Sequence, residues 1–209
     1  PGARLALEDL ELEDFEGFLN QLNIRTGFRE DFAHDDAPVF RKILGSAWQQ
    51  LPNEIRELHD TRQPRRFAGR ASVIRGRSVV ARIIGRIAGI PPAASDIPLQ
   101  VTMTPNESHG KERWTRDFGG HKFSSVMSAG KGRFSKLICE NFGPVRIAMA
   151  AVFKDGRLHY VHRGWTFFGI PLPRILAPQG ETCEYVENGR FHFHVEISLP
   201  MVGNIVTYD

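Results

Sequence analysis

From Ile97 to Tyr208 the chain is a train of short runs, most of them closed by a turn signal. Lys111–Phe118 is followed by Gly119-Gly120, Val145–Phe153 by Lys154-Asp155-Gly156, and Glu181–Val186 by Glu187-Asn188-Gly189. Such dipeptides reach the positive φ that a two-residue hairpin requires. Runs that turn back every ~8–12 residues build neighbouring antiparallel strands, and a sheet of many such strands curls on itself. A first strand is expected over Arg65–Ile74, and strands also over Ile97–Thr104, His121–Ser128, Arg133–Phe142, Arg157–Trp165 and Ile205–Tyr208. The expected fold class is α+β, with N-terminal helices packed on a strongly curved, mostly antiparallel sheet. That sheet would have about 8–10 strands and form a barrel or half-barrel.

Arg190–Pro200, RFHFHVEISLP, has the clearest alternation. Phe191, Phe193, Val195 and Ile197 share one face, and His192, His194 and Glu196 share the other, because side chains alternate along a strand. The apolar set reads as core. The polar set reads as either a wet surface or the polar contacts of a cavity.

Two regions precede the strands. Residues 1–37 hold LALEDLELEDFEGFLNQL, which suits an acidic amphipathic helix, and then a loop-like stretch. Residues 38–209 form the main domain, opening with a helix that runs from Pro38 to Leu51 and a shorter one over NEIRELHD, where His59 is a helix-end residue favoured by the dipole. Between the first two strands, SVVARIIGRIAG reads as a basic amphipathic helix with Arg82 and Arg86 opposite a broad Val/Ile face. Its expected role is to cover one end of the sheet with that face. Its two glycines and short length argue against a membrane surface as partner.

Charge is uneven. Residues 1–36 carry ten acidic and three basic side chains, and the remainder carries 14 and 24. The arginines between Arg62 and Arg86 come without a zinc finger, helix-turn-helix or aromatic RNA motif, so no specific nucleic-acid partner is expected. Cys139 and Cys183 have neither metal nor disulfide spacing, and a reducing cytoplasm is the default. No glycine-rich nucleotide loop or nucleophile elbow is present, and no cofactor is expected.

Three motifs, ERWTRDFGG (Glu112–Gly120), RGWTFFGIPLPRILAP (Arg163–Pro178) and GRFHFHVEISLPMVGNIVTY (Gly189–Tyr208), together resemble the bacterial family called domain of unknown function 4166. The resemblance runs from about Pro38 to the end of the chain. It implies a module often found C-terminal to an NAD(P)-binding domain of the saccharopine dehydrogenase type, whose tail the opening residues resemble. It implies no activity. In that family the position of His194 is frequently an acid.

On β-strand periodicity, Trp114 and Arg116 share a face, offering an aromatic wall and an anion clamp. Arg163 and Trp165 open the apolar, proline-rich loop Trp165–Pro178, which Arg163 and Arg174 flank and which would close or plug a barrel end. With His192 and Glu196 they make the candidate ligand site, and a cavity of several hundred cubic ångströms is its expected signature. The expected function is a ligand-binding or accessory domain holding a small lipophilic molecule, acidic if Arg116 clamps it. One alternative is a metal-independent enzyme with His192 as acid–base, oriented by Glu196, and Arg116 stabilising charge. Another is a purely structural interaction domain of a fused oxidoreductase. His192 and His194 are weak candidates for a metal pair, to which only one of His159 and His162 could contribute from another strand.

Overall fold

In a computed structural model, which describes residues 37–106 and 110–209, ten strands close into an antiparallel barrel. The acidic helix expected within residues 1–37 and the turn at 107–109 lie outside the described residues. Helix α1 (Val39–Leu44) gives way at Gly45, where φ is 53°, to a 3₁₀ run over Gly45–Gln50, so the single helix expected there is broken. An α-helix cannot continue through a left-handed residue. Helix α2 (Asn53–His59) follows, then β1 (Arg65–Arg75) and α3 (Val79–Ile87).

The remaining strands are β2 (Ala94–Asn106), β3 (Lys111–Phe118), β4 (His121–Ala129), β5 (Ile138–Phe142), β6 (Val145–Lys154), β7 (Arg157–Phe167), β8 (Ile170–Pro171), β9 (Thr182–Glu187), β10 (Arg190–Leu199) and β11 (Gly203–Tyr208). The strand expected from Arg133 is shorter than its run, because a 3₁₀ turn takes Gly132–Phe134. The sheet order is β6-β5-β4-β3-β2-β1-β11-β10-β9-β7, and pairing of β6 with β7 closes the ring. The short β8 pairs with β7.

The hairpin signals behave as the sequence implies. Asn188 and Gly189, with φ of 52° and 70°, connect the paired residues Glu187 and Arg190. Asp155 and Gly156, with φ of 51° and 76°, do the same for Lys154 and Arg157. Positive φ at both loop positions matches the strand twist, which fixes the register of each hairpin.

The protein is therefore mostly β, and the α+β reading needs correcting: its short helices sit at the barrel ends instead of forming a layer across a sheet. Helices α1 and α2 fill one end. Phe40 and Ile55 are fully buried there, each stabilising the fold by about 1.5–3 kcal/mol. Their cluster continues into the barrel through Met103, Trp114 and Leu158. A second apolar cluster of Ala71, Val73, Leu99, Phe118 and Val206 lies toward the opposite end, where α3 packs on β11 and β1.

One buried carboxylate ties the helical end to the wall. Pro38 offers no side-chain cap to α1. Glu112 on β3 accepts instead from the Val39 backbone N–H at 2.9 Å and from the Trp114 indole Nε1–H at 3.2 Å. An anion at a helix N-terminus is stabilised by the unpaired N–H groups and the dipole.

Candidate functional site

The barrel holds a cavity of about 120 Å³ that is partly open to solvent. Most of its lining is apolar, and Phe191, Phe193, Val195 and Ile197 of β10 all face it. The polar groups on its wall come from several strands: Arg116, Glu140, Tyr160, His162, Glu184 and Tyr208 among them. A larger groove of about 300 Å³ lies outside on the helices, lined by Arg41, Arg56, Asp60, Arg62 and Arg65 among others. It is open to solvent, and its Arg62 is held by Asp60.

Two polar clusters organise the cavity wall. In the first, the Arg116 guanidinium donates from Nη1 to Ser125 Oγ at 2.9 Å and from Nη2 to Glu140 Oε1 at 3.2 Å, while Ser125 Oγ–H donates to the same carboxylate oxygen at 2.6 Å. The Arg116 Cζ lies 5.2 Å from the Trp114 ring centroid and 5.3 Å from that of Phe123. The cation is thus neutralised by Glu140 and sandwiched by aromatics.

The second cluster joins helix to barrel. His59, at the end of α2, is fully buried and stacks on Phe40 with ring centroids 3.6 Å apart. Its Nε2 lies 2.6 Å from Glu184 Oε2 and 3.5 Å from the Tyr160 hydroxyl. Its Nδ1 is buried without a hydrogen-bond partner among the described residues. Burial and the neighbouring Glu184 push the Tyr160 phenol well above its ordinary value, and burial pushes Tyr208 up to about 12, with Arg116 opposing. Both phenols are therefore neutral donors at ordinary pH. His162 donates from Nδ1 to the Pro178 carbonyl at 2.6 Å.

Of the residues anticipated from sequence, Trp114 and Arg116 line the cavity. Trp165 is half-buried against the main core and donates to the Pro173 carbonyl at 3.3 Å. Arg163 is exposed, because it is the extra residue of a β-bulge in which Met149 pairs with His162 and Ala148 with Gly164,.

His192 and Glu196 do not join the cavity. Their strand turns its phenylalanines inward, so the shared polar interior expected for them is corrected: alternation puts both on the outer wall. There His192 stacks on Tyr185 at 5.3 Å, and Glu196 accepts from Ser198 Oγ at 3.2 Å. The two stand four residues apart on one strand, a rise of about 13 Å, which separates them as an acid–base pair.

His194 is bonded to Asp209 and pairs in register with Cys183, so the outer wall does bring metal-type ligands together, though not the pair read from the sequence. His159, Glu181 and Cys183 have ligand atoms within 4.8 Å of one another. Arg157 already donates to the Cys183 sulfur at 3.6 Å, and burial pushes that thiol up. A cation there would have to displace a guanidinium from a protonated sulfur.

The sequence reading missed Ser125, Glu140, Tyr160, Glu184 and His59 as a site. His59 left a usable signal: Ile55, Leu58 and His59 fall on one helical stripe and are all buried,.

The family model described as domain of unknown function (DUF4166) matches residues 51–209. The chain belongs to this family. No curated protein and no solved structure matches it. Fold and cavity chemistry therefore carry the functional argument for this DUF4166 member.

Proposed function

We infer that the barrel is a ligand-binding domain for a small, largely apolar, uncharged molecule about the size of a single substituted ring. The observation behind this is a mostly apolar cavity inside the barrel, whose few polar groups centre on two hydrogen-bonded clusters. At about 120 Å³ it is smaller than the several hundred cubic ångströms expected from sequence, and below the ~300–1,000 Å³ range of drug-sized ligands. It is close to the ~150 Å³ of an apolar cavity that takes up benzene. An acidic ligand is disfavoured, because Arg116 is neutralised by Glu140 and a second anion would have to break that pair. A hydroxyl or amide on the ligand could reach Glu140, His162 or the two phenols. An upstream NAD(P)-binding domain remains the partner that the family resemblance suggests.

Native mass spectrometry of gently purified protein, followed by a thermal-shift screen of small aromatic and aliphatic compounds, tests this reading. A stoichiometric small molecule is expected, or a compound that raises the midpoint in wild type. Val101, on the cavity wall, provides the control. Val101→Phe fills the space, so it should abolish binding while costing about 1–3 kcal/mol of stability. If Val101→Phe instead stabilises the protein, and wild type binds nothing in the screen, the barrel is a plugged scaffold and the proposal fails.

A further inference from the structure

Helix α3 sits on the barrel by an unexpected face. Its buried residues are Ala81 and Gly85. The broad apolar stripe points outward: Val79 is 62% exposed, Ile83 53% and Ile87 80%. Arg82 and Arg86 flank that stripe on the side away from the barrel contact, and Arg77 precedes the helix, all three exposed. None of the three pairs with an acid among the described residues. The acids near these strand ends, Asp96 and Asp117, are held by Arg70 and Lys122, while Glu181 faces His159 and Glu196 accepts from Ser198.

The stripe is not isolated. Ser78 Oγ–H donates to the Val202 carbonyl, which seats α3 beside the β10–β11 turn, whose tip Met201 is fully exposed. Gln179 bridges to Ser198, which brings the loop after β8 to the other side of that turn. The turn after β7, strand β8 and that loop expose Phe168, Ile170 and Ile175 in that order. All the large exposed hydrophobic side chains among the described residues, except Val152 and Val161, gather at this one end of the barrel. Apolar side chains left in water together at one end of a fold mark a docking surface. Here they project from a helix and two loop tips, with arginines beside the helix stripe and no salt-bridge partner for them.

We propose that this end of the barrel, formed by α3, the Met201 turn and the Phe168–Ile175 loop, docks on an anionic lipid surface. Val79, Ile83 and Ile87 enter the headgroup boundary, and Arg77, Arg82 and Arg86 meet the lipid phosphates. A helix with one apolar arc and adjacent arginines lies in the interface plane, and each arginine near an anionic leaflet adds attraction. The helix lies on the bilayer and does not cross it. No helix among the described residues is long and apolar enough to span one. This inference stands without the cavity reading, since it uses only the outside of the barrel.

Sedimentation of the 209-residue chain with phosphatidylcholine vesicles, with and without phosphatidylglycerol, tests it. The chain is expected to pellet with the anionic vesicles at low salt and to be released as salt screens the attraction. Ile83→Asp combined with Ile87→Asp should weaken partitioning by at least about tenfold. Arg82→Gln and Arg86→Gln should each weaken it about fivefold. These arginine variants keep the test decisive if the aspartate variant does not fold. The proposal is overturned if wild type stays in the supernatant with anionic vesicles at low salt, or if all the variants pellet like wild type. It is also overturned if the chain is a dimer that Ile83→Asp dissociates while vesicles bind neither form, because the face then belongs to a second copy.

Discussion

Glu112 is 2% exposed and accepts from both the Val39 backbone and the Trp114 indole. Replacing it by Leu keeps much of the volume but strands two buried donors, at about 1–3 kcal/mol each. Urea denaturation of Glu112→Leu should therefore show a loss of about 2–4 kcal/mol, well beyond that of an exposed carboxylate. Tyr208 makes a pH-dependent contribution. Its folded-state value is about 12, against about 10 in an unfolded chain. Between those values the native state holds a proton that the unfolded state has lost, so stability is full below about pH 10 and falls as pH rises toward 12. The fall should be about 2–3 kcal/mol, with Tyr160 acting in the same direction. Urea midpoints measured from about pH 9 to about pH 12 should drop in wild type and drop less in Tyr208→Phe. The alternation of β3 is readable in the sequence, and it correctly joins Trp114 to Arg116. What cannot be read there is that Glu140 and Glu184 point inward, because in ICENF and TCEYVE they look like ordinary solvent-side strand residues. Their burial depends on partners 24 and 125 positions away, Arg116 and His59. The histidines of β10 mislead for the same reason: a polar face draws attention, but the barrel interior takes whichever face closes the core.

Among elements, α3 separates pattern from placement. Its 3.6-residue period is plain, and the helix forms where expected, capped by Ser78 Oγ accepting from Ala81 N–H at 3.1 Å,. Periodicity identifies the large apolar stripe, but it does not say that the helix must seat by its small one. The seat is tight. A Cβ on Gly76 would collide with the Asn204 carbonyl and come within 2.8 Å of the Ala81 Cβ, and a side chain at Gly85 would meet the Arg75 guanidinium. Arg75 is itself occupied, donating to the Ile90 carbonyl at 2.9 Å and that of Pro91 at 3.0 Å. Only small residues fit between helix and wall, so the valines and isoleucines have nowhere to go but outward. The thermal midpoint should respond accordingly. Ile83→Gln should change stability by no more than about 0.5 kcal/mol, whereas Ala81→Leu should cost about 1–3 kcal/mol by overpacking. The opposite ranking would mean that α3 is seated by its large stripe after all.

For the whole molecule, the closed ring of strands leaves few ladder edges to protect, and stability turns on how its ends are stoppered. One end is held by α1 and α2, and the family match begins at Leu51, inside that stopper. Helix α1 precedes the match yet buries Val39, Phe40 and Leu44 in the main core, together with Trp48 from the 3₁₀ run. Each such side chain is worth about 1.5–3 kcal/mol. Its first N–H is the one that Glu112 accepts, and Phe40 is the platform for His59. A chain beginning at Leu51 would lose all of these together, a sum of the same order as the ~5–15 kcal/mol that holds an entire domain. The working boundary of the domain should accordingly lie ahead of Val39, near Pro38. Two truncations decide it. A chain starting at Ala37 should unfold cooperatively and keep its near-ultraviolet dichroism, while one starting at Leu51 should bind a hydrophobic dye and lose that signal, since the barrel mouth at Trp114 and Tyr160 is left open. If both chains give the same urea midpoint, the helical end is an ornament and the barrel closes without it.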